Sequence, residues 1–229
     1  MKSKLYCIFC FAGIFFFLIS TVLFAQEPAS DELEIVLKEN FSDNVNDWFV
    51  GGDEDCTVAI ENGLLTFHHL REDGSFLIYN ISYLDDSQPY TIETKIKHIS
   101  GVEEYGYGFI WGIQDINNFY SFNLTASGYY RVGRMINDTW EDIIGWTESS
   151  HIEKNHESNL LSIKKKGDKV SFYINNNYVN QIDSEKLPGH EVGYIIWRKQ
   201  TIQVDHLYIY GELDVDLIDE DEMWWWYGW

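Results

Sequence analysis

Seven side chains between positions 115 and 197 carry groups suited to holding a sugar without breaking it: Asp115, Asn117, Asn123, Tyr129, Arg131, Trp146 and Trp197. Tryptophan and tyrosine offer flat apolar faces on which the C–H side of a sugar ring can stack. Carboxylate, amide and guanidinium groups exchange hydrogen bonds with hydroxyls, and ligand sites combine an apolar floor with a few such polar groups. Arg131 stands out because the chain has 16 Lys and Arg against 37 Asp and Glu. A salt bridge to one of those carboxylates and a contact with a ligand are equally open readings of it. The histidines offer less. His68 and His69 are adjacent on a strand and so face opposite sides, a poor arrangement for one metal. His151 and His156 sit in loops without a third ligand, and all four read as surface residues. No nucleophile elbow and no zinc-type histidine motif is present.

The elements that would position the seven side chains are strands. From Tyr105 the chain reads YGYGFIWGI, with Tyr105, Tyr107, Phe109, Trp111 and Ile113 alternating against Gly106, Gly108, Ile110 and Gly112. Strand side chains alternate faces, so one face is bulky and the other nearly bare. Tyr120, Phe122 and Leu124 alternate against Phe119, Ser121 and Asn123, and Ser127-Gly128 turns the chain into Tyr130 and Val132. Three neighbouring strands then have an aromatic core side, with Trp48 joining it, and a glycine-floored trough on the other side. On this reading Gly108→Leu fills the trough and keeps the fold.

Strands are expected nearly everywhere else. Leu33, Ile35 and Leu37 alternate with polar residues; Cys56–Ile60 and Leu64–Leu70 flank Asn62-Gly63, a strong hairpin signal. Phe76–Tyr83, Tyr90–Ser100, Trp140–Trp146, Leu160–Lys165, Val170–Ile174, Tyr178–Ile182, Glu191–Trp197 and Ile202–Tyr210 complete the set. No stretch has a sustained helical period. About a dozen short strands point to an all-β sandwich of two antiparallel sheets.

Lys2 and Lys4 precede an apolar run from Leu5 to Phe24, with Ala25 before Gln26-Glu27-Pro28. That is an export signal over residues 1–25, although Leu23 is large for its place before the cleavage point. The alternative is an uncleaved anchor, since about 20 apolar residues span a bilayer. Residues 26–32 read as a linker, 33–211 as the sandwich and 212–229 as an acidic, aromatic tail. Cys56 is the cysteine left after cleavage, so no intrachain disulfide forms, and it reads as a buried small apolar residue. Formal charge is −21, and losing Lys2 and Lys4 makes it more negative. Such a surface repels phosphate backbones and anionic lipid, which argues against nucleic acid. Neutral sugars, cations and proteins remain as partners.

Phe41, Trp48, Trp111-Gly112, Asp115, Asn118, Tyr120, Phe122, Gly128, Tyr130, Ile152, Asn159-Leu160, Ile163, Phe172, Ile174-Asn175, Gly193, Val204-Asp205, Leu207 and Ile209 form a recognisable pattern. Over roughly residues 35 to 211 the chain resembles the concanavalin A-like lectin/glucanase superfamily, specifically the LamG-like jelly-roll modules of exported bacterial proteins. The resemblance implies a two-sheet jelly roll. It implies a search for the glucanase carboxylate set Glu-x-Asp-x-(x)-Glu. Glu212-Leu213-Asp214-Val215-Asp216 imitates that set, but ends in Asp and follows the last core strand, where an acidic linker is the plainer reading. The resemblance also implies a structural Ca²⁺ where the first and last strands meet, with Asn40, Asp43 and Asp205 as oxygen donors.

The tail ends in Met223-Trp224-Trp225-Trp226-Tyr227-Gly228-Trp229. So many aromatic rings are costly to leave in water. Such a tail either docks to a partner or folds back on its own domain; its acids favour a protein or glycan over anionic lipid.

The expected function is an exported, non-catalytic module that recognises a glycan or a surface partner. The rivals are a glucanase-like hydrolase and an interaction domain that binds protein through a sheet edge or the tail. N-terminal sequencing of the exported protein should begin at Gln26; intact Met1 recovered from a membrane pellet would establish the anchor instead.

Overall fold

The computed structural model describes residues 33–214; the expected export signal, the expected linker and the tail beyond Asp214 lie outside the described residues. Fifteen strands and no helix occur among them. In chain order they are β1 (Glu34–Glu39), β2 (Gly51–Gly52), β3 (Cys56–Glu61), β4 (Leu64–His69), β5 (Ser75–Ile81), β6 (Tyr90–Gly101), β7 (Tyr107–Asp115) and β8 (Asn118–Leu124). Then follow β9 (Tyr129–Ile136), β10 (Thr139–Glu148), β11 (Ser158–Lys166), β12 (Lys169–Ile174), β13 (Asn177–Asp183), β14 (Glu191–Trp197) and β15 (Gln200–Gly211).

They form two antiparallel sheets, the expected jelly-roll sandwich. One sheet has nine strands in the order β13-β12-β11-β6-β15-β4-β3-β2, with β1 also on β15. β4 takes the first half of one edge of β15 and β1 the second, Glu34 lying opposite Gly211. The other sheet runs β10-β9-β8-β7-β14-β5. Tight hairpins set the registers. Asn62-Gly63, Asn137-Asp138 and Asn175-Asn176 each put two successive residues at positive φ, as two-residue turns that follow strand twist require.

Between the sheets lies an aromatic core. Trp48, Tyr107, Phe109, Trp111, Tyr120, Phe122, Phe172 and Tyr194 are all buried there. Trp111 lies 5.4 Å from Tyr120 and 6.0 Å from Phe172, ring centre to ring centre. The Tyr194 hydroxyl meets Thr94 Oγ1 at 2.8 Å, so a buried polar group is satisfied.

Four expectations fail locally. β1 has a register shift between Ile35 and Leu37, so Val36 enters the core and Ile35 is 52% exposed. Gly112 adopts φ +61° where β7 slips against both neighbours, and this bulge moves Ile113 out of the aromatic row. His69 is buried against Phe76 rather than on the surface. Cys56 is half-buried; burial, with Asp53 and Asp55 nearby, pushes its thiol up to about 11, which leaves it unreactive.

Trp111→Ala should lower unfolding free energy by about 3–5 kcal/mol in denaturant titration, as core aromatic truncations do. A loss below about 1 kcal/mol would contradict the core placement.

Candidate ligand-binding face

The outer face of the six-stranded sheet holds the site. Register places Leu77, Ile195, Gly108, Asn123 and Arg131 in one row across β5, β14, β7, β8 and β9. Strand alternation gives Tyr129, Arg131, Gly133 and Met135 the same face. On β10, Trp140 lies opposite Met135 and Asp142 opposite Gly133. β10 then slips twice, between Asp142 and Ile144 and between Ile144 and Thr147. Bulges on edge strands re-aim side chains, and here Trp146 comes over Arg131.

Three tryptophans surround that cation. The Arg131 guanidinium carbon is 4.4 Å from the ring centre of Trp140, 4.6 Å from Trp146 and 5.5 Å from Trp197. Trp140 meets Trp197 edge to face at 5.7 Å. Asp142 Oδ1 accepts the indole N–H of Trp140 at 2.6 Å and lies 3.5 Å from Arg131 Nη1. Burial lowers the Arg131 pKa and Asp142 opposes that shift. Cation–π contacts of this kind are worth ~0.5–2 kcal/mol each. Trp197 is anchored from behind, because Gln200 Nε2 donates to the Trp197 and Gly106 carbonyls at 2.7 and 2.9 Å.

Of the seven residues expected from sequence, five come together and two do not. Arg131 is at the centre, its side chain 13% exposed. Trp146 and Tyr129 are open to solvent at 41% and 39%, and Trp197 is half-buried beside them. Asn123 is fully covered, with its amide donating to Ser121 Oγ at 2.9 Å, so it supports the floor and does not border it. Asp115 and Asn117 belong elsewhere. Asp115 Oδ1 accepts from Asn117 N and Asn118 Nδ2 at 2.7 and 2.9 Å, closing the β7–β8 turn. Five residues of strand separate Asn118 from Asn123, about 17 Å. Trp140 and Asp142 were missed; the legible signal was Gly133, opposite Asp142 and covered by the Trp140 ring, a bare position that a large ring from the next strand can fill.

The glycine trough is likewise filled by the protein itself. A Cβ on Gly106 would meet Trp197 at 3.2 Å and Trp146 at 3.3 Å, and one on Gly133 would meet Trp140 at 2.3 Å. Below the rings, Ile110, Ile113, Phe119 and Ile195 form a second apolar cluster packed by Leu77, Met135, Trp140 and Trp197. The face is therefore an aromatic platform, with Trp146 and Tyr129 the most exposed rings.

Other expected sites fare differently. Asn40 and Asp43 spend side-chain oxygens on the backbone N–H groups of Ser42 and Val45, at 3.0 and 3.3 Å. Asp205 is held by His206 at 2.8 Å and Lys95 at 3.4 Å, with its carboxyl pulled below the usual range by His206 first. Asn40, Asp43 and Asp205, the expected Ca²⁺ donors, thus carry protein partners, and no group of three or more His, Cys, Asp or Glu side chains placed to hold a metal occurs among the described residues. The loop after β1 is organised by buried Glu39, which accepts from Phe41 N at 2.5 Å and Asn46 Nδ2 at 2.7 Å. Glu212 and Asp214 lie at a sheet edge, where Leu213 bridges Leu84, and Asp216 lies outside the described residues. A retaining glycosidase needs two carboxyl groups ~5–5.5 Å apart. The carboxylate in the tryptophan cluster, Asp142, is already engaged by Trp140 and Arg131.

No protein-family model matches the chain, and no curated protein matches it either. Solved structures match its fold. The carbohydrate-binding module CBM66 from Bacillus subtilis aligns with a TM-score of 0.54 at 18% identity, covering 72% of this chain and 95% of the module. The catalytic domain of an endo-1,3-β-glucanase (laminarinase) from Thermotoga petrophila aligns at 0.55 and 10% identity, covering 79% and 98%. A structure of botulinum neurotoxin type C, whose cell entry depends on two ganglioside molecules, aligns at 0.53 and 13% identity, covering 83% of this chain and 50% of that one. The chain has the concanavalin A-like jelly-roll fold.

Gly108 decides how the platform can be probed. A Cβ there would lie 2.3 Å from the Phe122 carbonyl oxygen and 2.7 Å from Asn123 Cα, both backbone atoms that cannot step aside. Gly108→Leu should therefore destabilise the domain by about 3 kcal/mol or more in thermal or denaturant unfolding, reversing the expectation of an intact fold. An unchanged melting temperature would restore the open trough.

Proposed function

We propose that this domain is an exported, non-catalytic binding module that holds a neutral glycan against the outer face of the six-stranded sheet. One observation carries the reading: the Arg131 guanidinium stacked among Trp140, Trp146 and Trp197, with Trp146 and Tyr129 open to solvent on the same face. A flat aromatic surface suits the C–H side of a sugar ring. The Arg131 Nη groups and the exposed Tyr129 can exchange hydrogen bonds with hydroxyls. The net charge of −21 works against sulfated or uronic-acid chains. Carbohydrate-binding and glycan-cleaving proteins share this fold, which supports the class of ligand and leaves its identity to experiment. Against the glucanase alternative, the carboxylate in the tryptophan cluster, Asp142, is engaged by Trp140 and Arg131. A surface protein is the other partner this face could take.

Glycan-array binding of the domain, measured with reducing-sugar release from the same polysaccharides, tests the proposal. Wild type should bind without releasing sugar. Trp146→Ala should weaken binding by roughly thirty-fold, the effect of losing about 2 kcal/mol at a hot spot, with the melting temperature kept. Sugar release would establish the hydrolase, and an empty array would turn the search to proteins.

A further inference from the structure

His98, on β6, shares the inward face of Ile92, Thr94 and Ile96 and is 1% exposed. A second imidazole reaches it from the loop between β10 and β11. His156 Nδ1 lies 3.2 Å from His98 Nδ1 and 3.2 Å from the His98 carbonyl oxygen. The ring planes are 13° apart and their centres 5.2 Å apart. A carbonyl oxygen only accepts, so the proton in this contact belongs to His156 Nδ1 and is shared between two acceptors. His98 Nδ1 is then the bare nitrogen. Its proton sits on Nε2, which is buried without a hydrogen-bond partner among the described residues. His98 can take a second proton only at Nδ1, where it would confront the His156 N–H head on.

Few charged groups face His98. Tyr107 of β7 lies ring to ring at 5.7 Å, and β15 places Ile202 opposite. On β6 itself Lys97 and Ile99 turn to the other face. Glu103, in the loop after β6, is the carboxylate that favours protonation. Burial first and His156 second oppose it and hold the His98 pKa below the ordinary histidine range. Glu153, Lys154 and Glu157 share the loop of His156. The folded chain therefore binds this proton less well than an opened one, and stability is lost as pH falls below the ordinary value of about 6.5.

The segment held by the contact is sharply bent. Asn155 and His156 both have positive φ, +57° and +60°, which non-glycine residues seldom adopt. The start of the loop is fastened separately: Asn159 accepts from Glu153 N at 2.8 Å and donates to Glu153 O at 2.9 Å. Lys154 lies over Gly128, where a Cβ would strike its side chain, and Gly128 precedes Tyr129 of the platform.

We infer that the His98–His156 contact is an acid-sensitive clasp. It pins residues 154–157 to β6 while His98 is neutral, and releases them, with Lys154, from the turn before Tyr129 when His98 takes a proton. The device stands whether or not the platform binds a glycan.

NMR of the full chain, titrated from about pH 7.5 to about pH 4, tests this. At the upper end the His98 imidazole should carry its proton on Nε2. Glu157, whose N–H donates to Lys154 O at 3.3 Å, should exchange at least about tenfold faster in acid after correction for intrinsic rate. That change should follow the His98 titration, while the β7–β8 hairpin keeps its protection. His98→Gln retains an acceptor for His156 and cannot titrate, so its loop should stay protected throughout; His156→Ala should be loose throughout. A neutral-pH proton on His98 Nδ1, or acid opening that persists in His98→Gln, would overturn the inference. Should the substitution at buried His98 fail to fold, the wild-type titration decides: a loop that stays closed, or opens in step with another group, sinks the clasp.

Discussion

The outer face of the six-stranded sheet has to bury apolar side chains with no third layer of the described chain above it. Ile110, Ile113, Phe119 and Ile195 point away from the main core, yet all four are withdrawn from water. Their cover is made from the sheet's own side chains, Trp140, Trp197, Met135 and Leu77. Large rings laid flat need something to hold them, and Arg131 supplies it by offering one planar cation to three indoles. Asp142 fixes the guanidinium and the Trp140 N–H together. The surface that results is aromatic because covering the sheet requires it. A recognition platform is what that solution leaves exposed.

Alternation made most of the architecture legible. Tyr107, Phe109, Trp111, Tyr120 and Phe122 occupy the aromatic core on the side their spacing assigns, and Asn62-Gly63 makes its hairpin. What was not legible lies where one residue is added to a strand. The bulges at Gly112, after Ile35 and twice in β10 each reverse the faces beyond them, and a period of two carries no mark of an insertion. The floor was misread for a different reason. Gly106 was correctly seen as bare, but bareness within one strand does not reveal which ring from another strand lies over it. Arg131 was found because basic residues are scarce in this chain, whereas Trp140 looked like an ordinary strand residue.

Charge is distributed with a purpose that composition hides. The chain is strongly acidic, but its buried carboxylate, Glu39, is used locally to hold Phe41 and Asn46 in the loop below Trp48. Arg134 likewise ties β9 to Glu141 and Glu185 at the far end of the sheet. These groups act as fasteners. Arg131 instead lies among three indoles, so its neighbours are mainly aromatic, with Asp142 as its carboxylate partner.

The pairing of β1 with β15 has a mechanical consequence. Glu34 and Gly211 are opposite one another, so the chain enters and leaves the sandwich at adjacent points. Tension applied between those points pulls two antiparallel strands apart from one end, loading their hydrogen bonds one pair at a time rather than together. Such a junction opens by unzipping, and on its C-terminal side the Leu84–Leu213 bridge must part before β1 does. A tethered module built this way would give at its stem before its recognition face is distorted.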